Sequence, residues 1–145
     1  MGTTVVALLT LDHRVVIGHV GDSRAYLLRE GTLKRLTADH SWVYDQVRAG
    51  LLSDDDAHRH PLRNIVTRAL GSSADVLVDL SEQEVLSGDV FLLCSDGLTS
   101  MLSDDEIREF LAEHREDPKT ACQALVDAAN GRGGEDNTTV IVISV

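Results

Sequence analysis

Three aspartates stand where a strand-like apolar run breaks into a tight turn: Asp22 in His19-Val20-Gly21-Asp22-Ser23-Arg24, Asp96 in Cys94-Ser95-Asp96-Gly97, and Asp136 in Glu135-Asp136-Asn137. Such positions leave a carboxylate on the rim of a sheet, held by rigid strands and facing solvent or a cleft. Carboxylates without accompanying Cys or His ligands favour hard ions such as Mg²⁺ or Mn²⁺. Each of the three, taken alone, is equally an Asx turn, because Asp-Gly and Asp-Asn are good turn dipeptides.

Other motifs narrow the chemistry. No Walker loop, HExxH, GxSxG or GxGxxG is present, so nucleotide, zinc-protease and α/β-hydrolase readings lose their usual support. His58-Arg59-His60 has the residue types of a metal site, but beside Pro61 it reads more simply as a solvated loop. The run Asp54 to Asp56 reads as a solvated helix start, and Gly131 to Gly134 as a helix stop and flexible turn rather than an anion-binding nest. Cys94 and Cys122 lack CxxC spacing and read as reduced, buried thiols.

The elements that must position these residues follow from periodicity and punctuation. Strand runs over Thr3 to Leu11, Val15 to Val20, Arg24 to Arg29 and Thr32 to Leu36 alternate with Gly- and Asp-containing turns and read as an antiparallel meander. A helix is expected over Ser41 to Ala49 with Gly50 as its stop, and another after Ser53, whose hydroxyl and the carboxylates that follow suit an N-terminus. Asn64 to Leu70 is ambiguous between strand and loop. Val76 to Val85 and Val90 to Cys94 read as strands joined across Ser87-Gly88, the second apolar on both faces and therefore interior. Ser103-Asp104-Asp105-Glu106 is a capping box opening a helix to about His114. Asp117-Pro118 starts another, with Ala121, Leu125, Val126 and Ala129 on one face and Gly131 as its stop, and Thr138 to Val145 closes as a strand. The pattern is α+β, one domain over 1–145, without repeats or a linker.

Composition bounds the function. The 145 residues, 43% hydrophobic and 26% charged, suffice for one core. Thirteen Lys+Arg against 24 Asp+Glu give a net charge of -11, which argues against nucleic acid as a partner and suits divalent cations. The longest apolar runs, Val5 to Leu9 and Val90 to Cys94, fall far short of the ~20 residues of a membrane span, and the N-terminus lacks the basic start of a signal peptide. The expectation is a soluble, cytoplasmic chain.

Taken in order, the segments Gly2-Thr3-Thr4, His19 to Tyr26, Leu36 to Ser41, His60-Pro61, Asn64 to Gly71, Gly88-Asp89, Leu92 to Leu98 and Gly134 to Val140 resemble the metal-dependent Ser/Thr phosphatases of the PP2C (PPM) family, the bacterial branch in particular. The resemblance covers nearly the whole chain. It implies two packed antiparallel sheets flanked by helices, with Asp96 and Asp136 as ligands of a catalytic metal and Asp22 as a ligand of an additional site that shares Asp96. The implied reaction is hydrolysis of phosphoserine or phosphothreonine in a phosphorylated protein substrate. Two Mn²⁺ or Mg²⁺ ions about 3.5–4 Å apart would activate a bridging water, with no phosphoenzyme and no cysteine nucleophile. A flap-like segment at about 37–70 would border the cleft, with Leu51 to Arg63 its most flexible part.

The chain departs from the family in lacking the upstream phosphate-binding arginine, the Asp-Gly-x-Gly-Gly segment with its metal-bridging aspartate, and a histidine that acts as general acid. No catalytic residue beyond the metal ligands is therefore assigned. The sequence reads as the C-terminal portion of such a domain, incomplete on its N-terminal side, and leaves open a deliberate fragment, a misplaced start codon or a natural short form. Weak metal binding and little activity are expected of the isolated chain. An uncovered sheet would favour a homo-oligomer or a complementing segment. The alternatives to this reading are a catalytically silent module of the same fold that serves in binding or regulation, and a sporulation-type regulatory phosphatase of the same superfamily.

Overall fold

A computed structural model describes residues 1–145. Seven strands and five helices follow in the order β1 (Val5–Leu11), β2 (Arg14–Val20), β3 (Arg24–Arg29), β4 (Thr32–Arg35), α1 (Trp42–Arg48), α2 (Asp54–Arg59), β5 (Asp79–Glu84), β6 (Val90–Cys94), α3 (Asp96–Thr99), α4 (Asp104–Glu113), α5 (Pro118–Gly131) and β7 (Val140–Ser144). The strands form two antiparallel sheets, β1-β2-β5 and β4-β3-β6-β7.

Alternation along β3 and β6 builds both cores. Ala25 and Leu27 of β3, with Phe91 and Leu93 of β6, face Val15 and Ile17 of β2 and make the layer between the sheets. Tyr26, Leu28, Val90, Leu92 and Cys94 point the other way and pack on Leu98 of α3, Ile107 and Leu111 of α4, and Ala121, Leu125 and Ala129 of α5. This is why β6 reads as a continuous apolar run: all five of its residues are buried, on both faces. The helices thus cover only the four-stranded sheet. On the three-stranded sheet Leu9 is 59% and Leu80 is 73% exposed, and β1 lies at its edge.

The meander expected of the first third is not continuous. The hairpins β1–β2 and β3–β4 belong to different sheets, and the chain passes between them at Gly21-Asp22-Ser23. Gly21 makes this passage possible. Its φ is +113°, and a Cβ there would lie 2.3 Å from Thr4 Cγ2. The link across Ser87-Gly88 is likewise a crossing between sheets, because β5 pairs with β2 while β6 pairs with β3 and β7.

Local signals act largely as their chemistry dictates. Ser41, Ser53, Ser103 and Asp117 cap α1, α2, α4 and α5, and the reciprocal Ser103–Glu106 box is complete. Helix α5 runs through Gly131 and caps at Arg132, with Gly133 and Gly134 donating N–H groups to the Asn130 and Ala129 carbonyls. Those donors are spent on the helix end, so the glycines form a stop and not an anion nest. Asn64 to Leu70 is a loop with two isolated bridges, Ser41 to Val66 and Thr3 to Leu70. Cys122 is half-buried on the flank of α5, whereas Cys94 is buried, and both thiols are free.

In the link between β5 and β6, Asp89 is a buried anchor. Its carboxylate accepts from Arg29 Nε at 2.8 Å, Arg29 Nη2 at 2.7 Å and the Leu86 N–H at 2.9 Å. No helix is long and apolar enough to cross a membrane.

Candidate metal centre

The three aspartates come from three breaks in the chain, and the fold draws them to one end of the two sheets. Asp22 lies in the turn between β2 and β3. Asp96 opens α3 directly after β6, and Asp136 precedes β7. β6 and β7 are paired neighbours, with Cys94 opposite Val140, so the turns leaving and entering them meet. Ser95 Oγ donates to the Asn137 carbonyl at 3.1 Å and accepts the Thr139 N–H at 3.0 Å, and the Ser95 N–H donates to the Thr139 carbonyl at 3.0 Å. Gly97 completes this seam, since a Cβ on it would stand 2.4 Å from the Asn137 carbonyl oxygen. Only glycine lets Asp96 sit this close to the Asp136-Asn137 loop.

Asp22 and Asp96 line the same cavity of about 140 Å³, with Arg24, Asp39, Arg63 and Asn64 among its walls. Asp136 is exposed on an adjoining open pocket with Asn130 and Gly134. The charges act on one another in sequence. Burial, and then the Asp96 carboxylate, push Asp22 up to about 6. Burial, and then Asp136, hold Asp96 above the usual carboxylate range. Two half-buried carboxyls with raised proton affinity beside the exposed carboxylate of Asp136 form an all-oxygen, anionic donor set, which fits a hard divalent cation.

The neighbouring arginines supply little of the counter-charge, Arg24 offsetting the rise at Asp22 only slightly. Asp39 accepts from Arg24 Nε at 3.0 Å and Nη2 at 2.7 Å, and also from Arg35 Nη2. Arg24 Nη1 donates to the Tyr26 hydroxyl, which itself donates to Asp104 Oδ1 at 2.9 Å. Both guanidinium groups are thus committed to the cavity floor. Arg63 has only an exposed contact of 3.4 Å with Glu135 and remains available on the wall.

The histidines take other roles. His60 Nδ1 accepts the Leu62 N–H at 3.1 Å, and its ring packs 5.1 Å from Trp42, so it is a turn and packing residue; His58 borders the cavity from α2. The ligand atoms of His19, His40 and Asp79 lie within 4.8 Å of one another, away from the aspartate cavity. Sequence reasoning assigned none of Asp39, His40 or Asp79. The available signals for the first two were the polar stretch Asp39-His40-Ser41 and its place in the Leu36 to Ser41 segment of the resemblance; all three residues of the stretch are buried.

A family model described as Protein phosphatase 2C matches residues 1–129. The serine/threonine phosphatase stp of Listeria welshimeri is 45% identical over 143 residues, which cover 99% of this chain and 56% of that protein. The crystal structure of the Mycobacterium tuberculosis serine/threonine phosphatase PstP/Ppp superposes with a TM-score of 0.90 at 40% identity, over 98% of this chain and 59% of that one. A structure of the catalytic domain of PstP in complex with 2 manganese ions matches with a TM-score of 0.86 at 38% identity, over 98% of this chain and 58% of that one. The chain belongs to the protein phosphatase 2C family. It spans rather more than half the length of these relatives.

Proposed function

We propose that this chain carries the metal-binding wall of a protein serine/threonine phosphatase, with Asp96 and Asp136 ligating one Mn²⁺ or Mg²⁺ and Asp22 a further ion that shares Asp96. The single observation behind the reading is the seam of Ser95, Gly97, Asn137 and Thr139, which holds two acidic turns together at the mouth of a cavity that also contains Asp22. Family membership, and the manganese bound by PstP, support the choice of ion.

When bound, the ions would lower the pKa of a water enough to make a hydroxide nucleophile available near neutral pH and would offset charge on the phosphoryl oxygens. The chain's own groups do the rest. Asp22, Asp96 and Asp136 offer the carboxylate oxygens that would hold the ions, Arg24 and Arg35 brace Asp39 in the cavity wall, and Arg63 faces the place where a phosphoryl group enters. The α1–α2 segment and its return, about 37–70, forms the flap over this cavity. The substrate is a phosphorylated protein and the compartment is the cytoplasm.

The test is hydrolysis of a phosphoserine or phosphothreonine peptide with Mn²⁺ by the intact protein. Activity lost on Asp96→Asn and on Asp136→Asn, with folding preserved, supports the assignment. An intact protein that is inert with both aspartates in place, yet folded and able to bind Mn²⁺, favours the silent module instead.

The outer face of β1-β2-β5, with Leu9 exposed on the edge strand β1 and Leu80 on the opposite edge strand β5, supports the further reading that this chain self-associates through that sheet. Sedimentation at micromolar concentration decides it. A well-behaved monomer removes the idea.

A further inference from the structure

One buried residue, His40, holds both backbone groups of the glycine that precedes Asp22. The His40 N–H donates to the Gly21 carbonyl at 2.7 Å, and the His40 ring accepts the Gly21 N–H on Nδ1 at 3.0 Å. Because Nδ1 is an acceptor, the neutral ring carries its proton on Nε2, which donates to Asp79 Oδ2 at 2.9 Å. Asp79 is in turn held by Arg68, whose Nη1 donates to Oδ1 at 2.7 Å and to the Leu77 carbonyl at 3.1 Å. The His40 carbonyl accepts the Thr67 N–H at 2.8 Å, so the return of the α1–α2 segment is fastened to the same residue.

The surroundings leave this tether little freedom. Gly21 is pressed against Thr4, and the Thr4 and Ser23 hydroxyls meet at 3.1 Å on the other side of Asp22. The His19 ring lies 4.6 Å from that of His40 and forms a buried wall, both of its nitrogens without partners. Burial, and then His40, lower its proton affinity, so the wall is uncharged.

A metal held by His19, His40 and Asp79 does not suit this arrangement. Ligation through His40 Nε2 with Nδ1 still bound to the Gly21 N–H would require an imidazolate, and Arg68 Nη1 already stands 3.0 Å from Nε2. The guanidinium occupies the place a cation would take.

We propose that His40 is a positioning residue for Asp22: Asp79 fixes the tautomer and orientation of its ring, and the ring fixes Gly21, so that the Asp22 carboxylate is presented toward Asp96. The proposal rests on Asp22 being a metal ligand. It makes the exposed end of β5, which is outside the cavity, part of what sets metal affinity.

The experiment is calorimetric Mn²⁺ titration of the intact protein, with amide exchange at Gly21 measured in the metal-free state. Asp22→Asn tests the underlying reading: if it leaves every Mn²⁺ affinity unchanged, Asp22 is not a ligand and the proposal falls with it. If Asp22→Asn removes a site, the tether is judged on its own variants. His40→Ala is expected to weaken that site by about 10–100-fold and to speed Gly21 exchange. His40→Asn is expected to recover part of both, because its Oδ1 stands where Nδ1 stood and accepts the Gly21 N–H. Asp79→Ala is expected to weaken the site severalfold by freeing the ring. Should His40→Ala fail to fold, His40→Asn and Asp79→Ala decide. Wild-type affinity and wild-type Gly21 exchange in Asp79→Ala overturn the proposal, as does equal loss in the Asn and Ala variants of His40.

Discussion

The Ser95 hydroxyl donates to the Asn137 carbonyl 42 positions along the chain, and that bond joins the two turns that carry Asp96 and Asp136. Ser95→Ala removes it and also the acceptor of the Thr139 N–H. The expected cost is about 1–2 kcal/mol of stability, with weaker Mn²⁺ binding by the intact protein. Gly97→Ala, which drives a methyl into Asn137, is expected to cost more of both. Thermal melts and metal titration of the two variants side by side check this ordering.

Asp22 predicts a trade between metal binding and stability. Its folded value of about 6 lies above that of an unfolded aspartate, near 3.9. Its charge therefore costs nothing below pH 4, and the cost grows as pH rises through 6. After discounting for its half-exposed position, that is about 1–2 kcal/mol at pH 7. Asp22→Asn should stabilise the metal-free protein at pH 7 and not at pH 4. Denaturant melts with chelator at the two pH values read the difference directly.

Asp89 behaves in the opposite sense. The Arg29 guanidinium, and then the Leu86 N–H, hold its carboxyl below the usual range despite burial. The stabilisation this supplies is complete above about pH 4, the unfolded value, and is lost as pH falls through the folded one. Asp89→Asn should lower stability at pH 7 by about 2–3 kcal/mol, because it leaves Arg29 without its ion partner. It should also flatten the acid limb of the stability curve. A wild-type limb retained unchanged in the variant would falsify the assignment.

The two thiols should differ in reactivity. Burial pushes the Cys94 thiol up to about 12, and Arg24 offsets this only in part. Cys122 is half-buried on the flank of α5. Alkylation of the native protein at pH 8, followed by peptide mass analysis, should label Cys122 and spare Cys94.

Leu125 lies fully buried at the centre of the layer between α5 and the four-stranded sheet. Leu125→Ala removes three carbons from a position packed on every side and should cost about 2–5 kcal/mol. Chemical denaturation with an unchanged m-value is the expected signature.

What could be read from the sequence is what depends on near neighbours. The Ser103–Glu106 capping box, the Pro118 start of α5 and the doubly apolar β6 all declare themselves within a few residues, and each is found in its place. What could not be read depends on residues far along the chain. Nothing local at Gly21 or at Ser87-Gly88 shows that the strands on either side belong to different sheets, because that is decided by which faces find partners. Helix α3 is a single turn, too short for periodicity, and is defined by Leu98 reaching the core. The Asp22, Asp96 and Asp136 turns were visible as turns, but the approach of Asp96 to Asp136 follows from the β6–β7 pairing and that of Asp22 to Asp96 from the β3–β6 pairing. Asp39 and His40 stood in the Leu36 to Ser41 segment of the resemblance without a role of their own, since their partners Arg24, Gly21 and Asp79 lie 15 to 39 positions away.

Strand β6 lends one face to each hydrophobic layer, so neither layer can dissolve while the other stays whole. The molecule is therefore built to melt as one calorimetric unit, with the amides of Phe91 and Leu92 the last to exchange with solvent. The same strand ends at Ser95 and Asp96, so the acidic turn is rooted in the part of the protein that opens least often.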